Sequence, residues 1–413
     1  MTIKRQLLTA AIALMAAAVS AQENEVSIDA QLRTRGEHNH GAISPLRKGD
    51  QSANFINERA RLSVDWKRDN LEMKVGVQHT GVWGQDDIKQ PNGRATMNEA
   101  WAKMTFDDGR FFAQLGRQQL SYDDERLLGT LDWNVNGNWH DALRLGYQEG
   151  NNQLHLVLSM NQTAENNRGD YYGGPMPYKN MEMLWYHYQS DMLPLDISLM
   201  AINTGLEVGV DGHGRTNYMQ TVGTDVTFKP LDWNVHAAFY YQMGKDSYSR
   251  SVSAFLASAK GEYIIDPLLQ VNAGYDYLSG GSTLNKAKAF NALYGTHHKF
   301  YGAMDFFPGI FAYGLHDIQA GAASLLMPWL SARLDYHFFL TAKQAYDFSK
   351  SLGHELDLQL TAKVMKDVTL SGGYSAFLGT ETMDALKGGS HDKWQGWGWL
   401  QVNINPRVLF AKW

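Results

Sequence analysis

Glu355-Leu356-Asp357-Leu358-Gln359-Leu360-Thr361-Ala362-Lys363-Val364 alternates polar and apolar side chains without a break. A period of two marks a β-strand with one polar and one apolar face. Near the other end of the chain, Val26, Ile28, Ala30 and Leu32 interleave with Ser27, Asp29, Gln31 and Arg33 in the same way. The polar face carries too much charge to pack into a core. A barrel that is apolar outside and wet inside resolves the conflict.

The start of the chain says where such a barrel would live. Lys4 and Arg5 precede an apolar run from Leu7 to Val19, which is too short to span a membrane as a helix. Val19-Ser20-Ala21 ends it with small residues. Residues 1–21 therefore read as a signal peptide and 22–413 as one exported barrel.

Composition narrows the class. The chain has 413 residues and no cysteine, which excludes a disulfide framework, thiol chemistry and a cysteine zinc site. A formal net charge of −6 argues against a nucleic-acid partner. The 12 Trp, 20 Tyr and 17 Phe suit the aromatic girdles of a membrane barrel. Mean hydropathy of −0.38 excludes a helical membrane protein but not a barrel, whose lumen residues lower the average.

Connections alternate strictly in length. Long loops fall near 36–56, 81–97, 118–139, 162–180, 205–216, 244–252, 279–313, 341–353 and 378–393. Short turns between them carry Asp108-Gly109, Gly150-Asn151, Asp266-Pro267 and Met327-Pro328. Such alternation predicts an all-β, antiparallel up-and-down transmembrane barrel of about 18 strands, with short periplasmic turns and long extracellular loops. Loops 118–139, 162–180 and 279–313 are the expected constrictions. Leu409-Phe410-Ala411-Lys412-Trp413 ends on an aromatic residue, like the assembly signal of outer-membrane proteins, and so implies the barrel assembly machinery as a partner. Pro406 interrupts that last strand.

Parity also assigns the lumen face. Asp29, Gln31, Arg33 and Arg35 point inward from the first strand, and Arg59, Arg61, Ser63 and Asp65 from the second. Several in-register pairings oppose an arginine to an arginine, which costs stability unless acids or an anion neutralise them. Arginine suits carboxylates through its bidentate fork. Lys74, Lys103, Arg144, Lys260, Arg333 and Lys363 share the inward parity. So do Glu72, Glu99, Asp225, Glu262, Asp276, Asp335, Glu355 and Asp357, nearly one acid per base. Trp101 lies between Glu99 and Lys103 and offers either a sugar-stacking face or a gap-filling indole.

No phosphate loop, His-Glu-x-x-His or Gly-x-Ser-x-Gly occurs, and no cofactor or metal is expected. His297-His298, Asp123-Asp124-Glu125 and Gly388-Gly389-Ser390-His391-Asp392 read better as loop residues than as metal or triad sites.

Leu115-Gly116-Arg117-Gln118-Gln119-Leu120-Ser121-Tyr122, Arg126-Leu127-Leu128-Gly129, Asp132-Trp133 and Asp141-Ala142-Leu143-Arg144-Leu145 together resemble the bacterial alginate-export family of outer-membrane proteins. Phe290-Asn291-Ala292-Leu293-Tyr294, Gly314-Leu315-His316-Asp317 and Leu334-Asp335-Tyr336-His337-Phe338 extend the resemblance over most of the chain. It implies an 18-stranded barrel in the outer membrane, among lipid and lipopolysaccharide. It also implies an arginine-lined pore for an anionic saccharide, and a periplasmic export complex if the sugar leaves the cell. Gly116, Arg117, Gln118, Arg126, Gly129, Trp133 and Asp141 would form a loop folded on the lumen wall, with Arg117 and Arg126 paired to acids such as Asp123 or Asp141. Arg117 departs from the inward parity of Gln114 and Gly116, which suggests a bulge or a strand end. This chain departs from the family in its three consecutive acids at 123–125 and its balanced lumen charge.

The sequence therefore reads as a passive, non-enzymatic channel for anionic saccharides or polysaccharide. A general porin for small hydrophilic solutes, a barrel enzyme at the outer surface and a plugged structural barrel stay open.

Overall fold

A computed structural model describes residues 23–87, 89, 95–210 and 213–413. The signal-peptide reading falls outside these residues. The strands are β1 (Asn24–His40), β2 (Ala53–Arg68), β3 (Leu71–Val82), β4 (Ala95–Phe106), β5 (Phe111–Gln118), β6 (His140–Glu149) and β7 (Asn152–Met160). Next come β8 (Asn180–Gln189), β9 (Leu195–Val208), β10 (Arg215–Phe228), β11 (Trp233–Lys245), β12 (Ser251–Asp266), β13 (Leu269–Leu278) and the short β14 (Lys286–Ala287). The chain ends with β15 (Leu315–Met327), β16 (Leu330–Thr341), β17 (Ser351–Met365), β18 (Val368–Gly379), β19 (Gln395–Ile404) and β20 (Arg407–Lys412).

Each long strand pairs antiparallel with its neighbour in sequence, and β1 closes the ring against β19 and β20. Pro406 lies between those last two strands, which together make one interrupted strand. It has no N–H to give, but its carbonyl accepts from Ala30 N at 3.0 Å. β1 takes up the mismatch as a register shift between Ile28 and Asp29. Leaving out β14, a two-residue addition beside β12, eighteen strands close the barrel.

Alternation sets the faces as expected. On β17, Leu356, Leu358 and Leu360 are exposed on the outer wall, whereas Glu355 is buried inside. The short turns place Asp69, Asp107, Asp108 and Asp367 at positive φ, a conformation that aspartate tolerates better than most residues. The last long loop contains a short helix, α1 (Glu381–Lys387), where the sequence suggested only a loop. Thr380 caps it by accepting from Met383 N, and Met383 is buried.

The interior is less wet than alternation implied. The 119–139 loop between β5 and β6 turns inward, and so does the 279–314 segment between β13 and β15. Leu120, Leu127 and Leu128 belong to one buried cluster with the inward residues Val157, Met181, Met183, Trp185, Tyr240 and Leu256. Leu128 and Tyr294 form a parallel bridge that ties the two loops together. Burying each such side chain contributes about 1.5–3 kcal/mol. A cavity stays open between these loops and the wall made by β11, β12 and β15–β19. The 161–179 loop joins the constriction only by its return arm, where Tyr178 meets Tyr294 with 4.9 Å between ring centres. Its tip is exposed, while Tyr172 and Tyr178 on its return arm are buried.

Candidate functional site: the lumen constriction

The register opposes Arg33 to Arg59, Gln31 to Arg61 and Arg35 to Asn57. Three of the four guanidiniums close on the tip of the 119–139 loop. Arg33 Nη1 donates to the Asp132 carbonyl at 2.5 Å, and its Nη2 to the Asn134 carbonyl at 3.0 Å. Arg59 is wholly buried, and its Nη2 meets Asp132 Oδ1 at 2.8 Å. Arg35 donates to the Trp133 carbonyl at 3.0 Å and to Glu37 at 2.8 Å, and its guanidinium lies 3.9 Å from the centre of the Trp133 ring. Arg61 turns to Gln78, at 2.8 and 3.1 Å. Four guanidiniums thus face two carboxylates. Burial works against the charge of Asp132, but Arg59 and Arg33 outweigh it and hold its carboxyl below the usual range.

A cavity of about 520 Å³ opens beside this clamp, between the two inward loops and the wall. Trp133, Trp397 and Trp399 supply aromatic faces. Trp133 stacks on His298 with 4.3 Å between ring centres and meets Trp399 edge-on at 4.9 Å. Lys260, Lys299 and Arg333 face Asp124, Asp335 and Asp357 around the rest of the lining. Flat apolar faces among charged groups suit solutes that have both, such as sugar acids.

Four of the other expected lumen cations are engaged. Lys74 reaches Glu99 at 3.2 Å and Asp65 at 3.8 Å. Lys103 lies 3.9 Å from Glu72 and 5.1 Å from the Phe112 ring. Arg144 donates to Gln114 at 2.6 Å, and Arg333 pairs with Asp335 at 2.5 Å. Trp101 donates to Glu99 at 3.2 Å, away from the clamp and near Trp66 and Arg407 at the short-turn end.

The motif residues divide between strand and loop. Gly116, Arg117, Gln118 and Asp141 are on strands rather than in a loop, and the ladder runs through Arg117 with no shift. Gly116 has φ of +122°, and a Cβ there would come within 2.1 Å of the Ala100 carbonyl. Arg117 faces the outer wall, where it forks onto Asp141 with two bonds of 2.8 Å. Its departure from inward parity is therefore a true outward position, not a bulge. Gln118 faces in and donates to the Ala142 carbonyl at 2.9 Å. Arg126 is buried and binds Asp124 at 2.7 Å and Asp276 at 2.8 Å. Gly129 sits so close to Thr296 that a Cβ would come within 2.2 Å of its hydroxyl.

Each acid of the 123–125 run has its own partner. Asp123 accepts from Trp185 Nε1 at 2.8 Å, and burial pushes its carboxyl up to about 6. Asp124 holds Arg126, and Glu125 accepts from Ser121 at 2.8 Å. Asp124, Asp225 and His236 do converge on one spot. Their charge is already met, since Arg126 neutralises Asp124 and His236 bonds Asp225 at 2.7 Å. His298 bonds Asp305 at 2.8 Å, and His391 bonds Asp384 at 2.6 Å. Sequence reasoning missed Trp397 and Trp399, although their parity on β19 would have placed both indoles inward.

A family model described as alginate export matches residues 24–353. No curated protein sequence matches the chain. Among solved structures, OccAB1 of Acinetobacter baumannii aligns with a TM-score of 0.66 at 11% identity, over 94% of this chain and 97% of that one. OccK9 (OpdG) of Pseudomonas aeruginosa gives 0.65 at 11% identity, over 94% and 98%. OpdK of Pseudomonas aeruginosa with vanillate gives 0.63 at 11% identity, over 94% and 99%. At these identities the likeness is one of fold.

Proposed function

The chain belongs to the alginate export family and is a passive channel of the bacterial outer membrane, and we propose that its solutes are small anionic saccharides. The observation that carries this reading is the arginine clamp. Four guanidiniums with two carboxylates between them leave a positive wall next to a cavity faced by tryptophans. The buried guanidiniums draw an anion into the cavity through their field, and its ring can lie on an indole. With both loops folded inward, the cavity suits single sugars or short oligomers better than a thick polymer. The OpdK structure contains vanillate, a small organic anion of comparable reach.

A general porin is the second reading. The pairing of Lys74, Lys103 and Arg333 with acids favours it, because it balances the remaining lumen. Planar-bilayer measurements of the mature protein separate the two. A reversal potential on the anion side in a salt gradient, reduced by Arg61→Ala, together with block by oligouronates, supports the saccharide reading. A reversal potential near zero and no block would leave only the general porin.

A further inference from the structure

Glu355 and Asp357 hold successive inward positions on β17, and both reach the 279–314 segment. Glu355 Oε1 accepts from Met304 N at 2.8 Å, and Asp357 Oδ2 accepts from Ala303 N at 3.3 Å. Each is left with one oxygen, Glu355 Oε2 and Asp357 Oδ1, that is sealed from solvent and has no donor. Glu355 as a whole is 1% exposed. The two carboxyls sit two residues apart on one face of the strand, where side chains are neighbours. Ionised carboxylates only accept, so their orphan oxygens need a hydrogen that neither group brings when charged.

The surroundings do not supply it. From β16, His337 Nε2 stands 3.9 Å from Asp357 Oδ2, while its Nδ1 is committed to Asp317 of β15 at 2.9 Å. Also on β16, Arg333 is held by Asp335. From the loop comes another acid, Asp305, which is occupied by His298. From β12, Lys260 is turned to Asp276 at 3.7 Å. From β18, Ser375 faces Asp357 but leaves its Oδ1 without a donor. Among the described residues, neither carboxylate ion-pairs with a lysine or arginine. Both orphan oxygens are closed to solvent, which leaves no room for a hydrated cation.

We propose that Glu355 and Asp357 share one proton at neutral pH, and that this proton latches residues 300–304 in place as a wall of the pore. One hydrogen between the carboxyls satisfies both orphan oxygens at once and removes the repulsion of two buried charges. When it leaves, the strain falls on the softer neighbour. β17 is bonded along both edges to β16 and β18, whereas the loop meets it through two amides. Phe300, Gly302 and Ala303 line the cavity, so a shift there changes the passage itself. The channel becomes responsive to alkaline pH. This inference rests on the channel reading but not on which solute passes.

The test uses the full barrel in lipid. Infrared difference spectra, wild type minus Glu355→Gln, are expected to show the carbonyl stretch of a protonated carboxyl at neutral pH and to lose it on alkaline titration. Amide exchange at Ala303 and Met304, corrected for intrinsic base catalysis, is expected to speed up by about tenfold or more over the same titration. Glu355→Gln keeps an acceptor for Met304 and offers a hydrogen to Asp357, so its exchange and conductance should not change with pH. Asp357→Asn should behave alike and serves if the first variant assembles poorly. No carboxyl band in the difference spectrum, or a pH dependence in both variants equal to that of the wild type, would overturn the proposal whatever the channel's selectivity.

Discussion

At the scale of single residues, Asp132 holds the constriction. Its side chain is half exposed, yet it is the counter-charge of Arg59, which has no exposure at all. Exposed pairs such as Lys67–Glu72 contribute less than about 1 kcal/mol. Taking the charge from Asp132 is a different matter, because it strands a buried guanidinium. Asp132→Asn should lower stability by about 1–3 kcal/mol and raise anion selectivity, read as a lower thermal midpoint and a shifted reversal potential. Asp123 gives a pH prediction. Its folded-state value of about 6 lies above the ordinary carboxylate value of 3.8. A raised value means that the protonated form is favoured on folding. The stabilisation is complete below 3.8 and is lost as pH rises through about 6. Two pH units correspond to about 3 kcal/mol at most. Asp123→Asn should therefore stabilise the protein at neutral pH and have no advantage at pH below about 4, as a series of thermal midpoints would show. Parity told which way Arg33 and Arg59 point. It could not tell that Asp132, some hundred residues on, would lie between them, because nothing local encodes that meeting.

Among the elements, strands and loops differ in how they can be read. A strand with water on one side and lipid on the other writes its identity in every second residue, so its parity was plain, although β1 runs to His40, into the expected 36–56 loop. An inward loop leaves no period. Its trace lies in the wall that it covers. Met181, Met183, Trp185, Met200, Ile202, Tyr240, Val252, Ala254 and Leu256 are apolar at inward positions. An apolar inward row beside an apolar outward row means burial on both faces. That second signal was present in the sequence and would have marked what the 119–139 and 279–314 segments cover. The consequence can be tested. Replacing residues 120–138 by a short glycine linker should leave the barrel ladder intact, since none of its long-strand pairings uses them. Single-channel conductance should rise severalfold, and the heat-denaturation midpoint should fall as the apolar wall meets water. Unchanged conductance in the shortened barrel would show that the loop does not narrow the path.

For the molecule as a whole, the excess charge of the clamp acts through water and is screened by salt. The Debye length falls from about 10 Å at 0.1 M to about 3 Å at 1 M. Anion preference should weaken over that range if it arises from the field of the arginines, and should persist if it arises from direct contact. Reversal potentials at two mean salt concentrations with the same gradient ratio make the distinction.

The seam where β1 meets β19 and β20 has a bearing on time as well as shape. Asn24 and Trp413 exchange backbone hydrogen bonds of 2.7 and 3.0 Å, so the two ends of the described chain are neighbours on one rim. Most other long-strand pairs join segments made one after the other. This one joins partners separated by most of the described residues, so it has the largest loop-closure entropy and cannot form until β19 and β20 have been made. Until then two unpaired edges stay open to wrong partners, and the terminal strand, broken at Pro406, is the last piece of the ring to arrive.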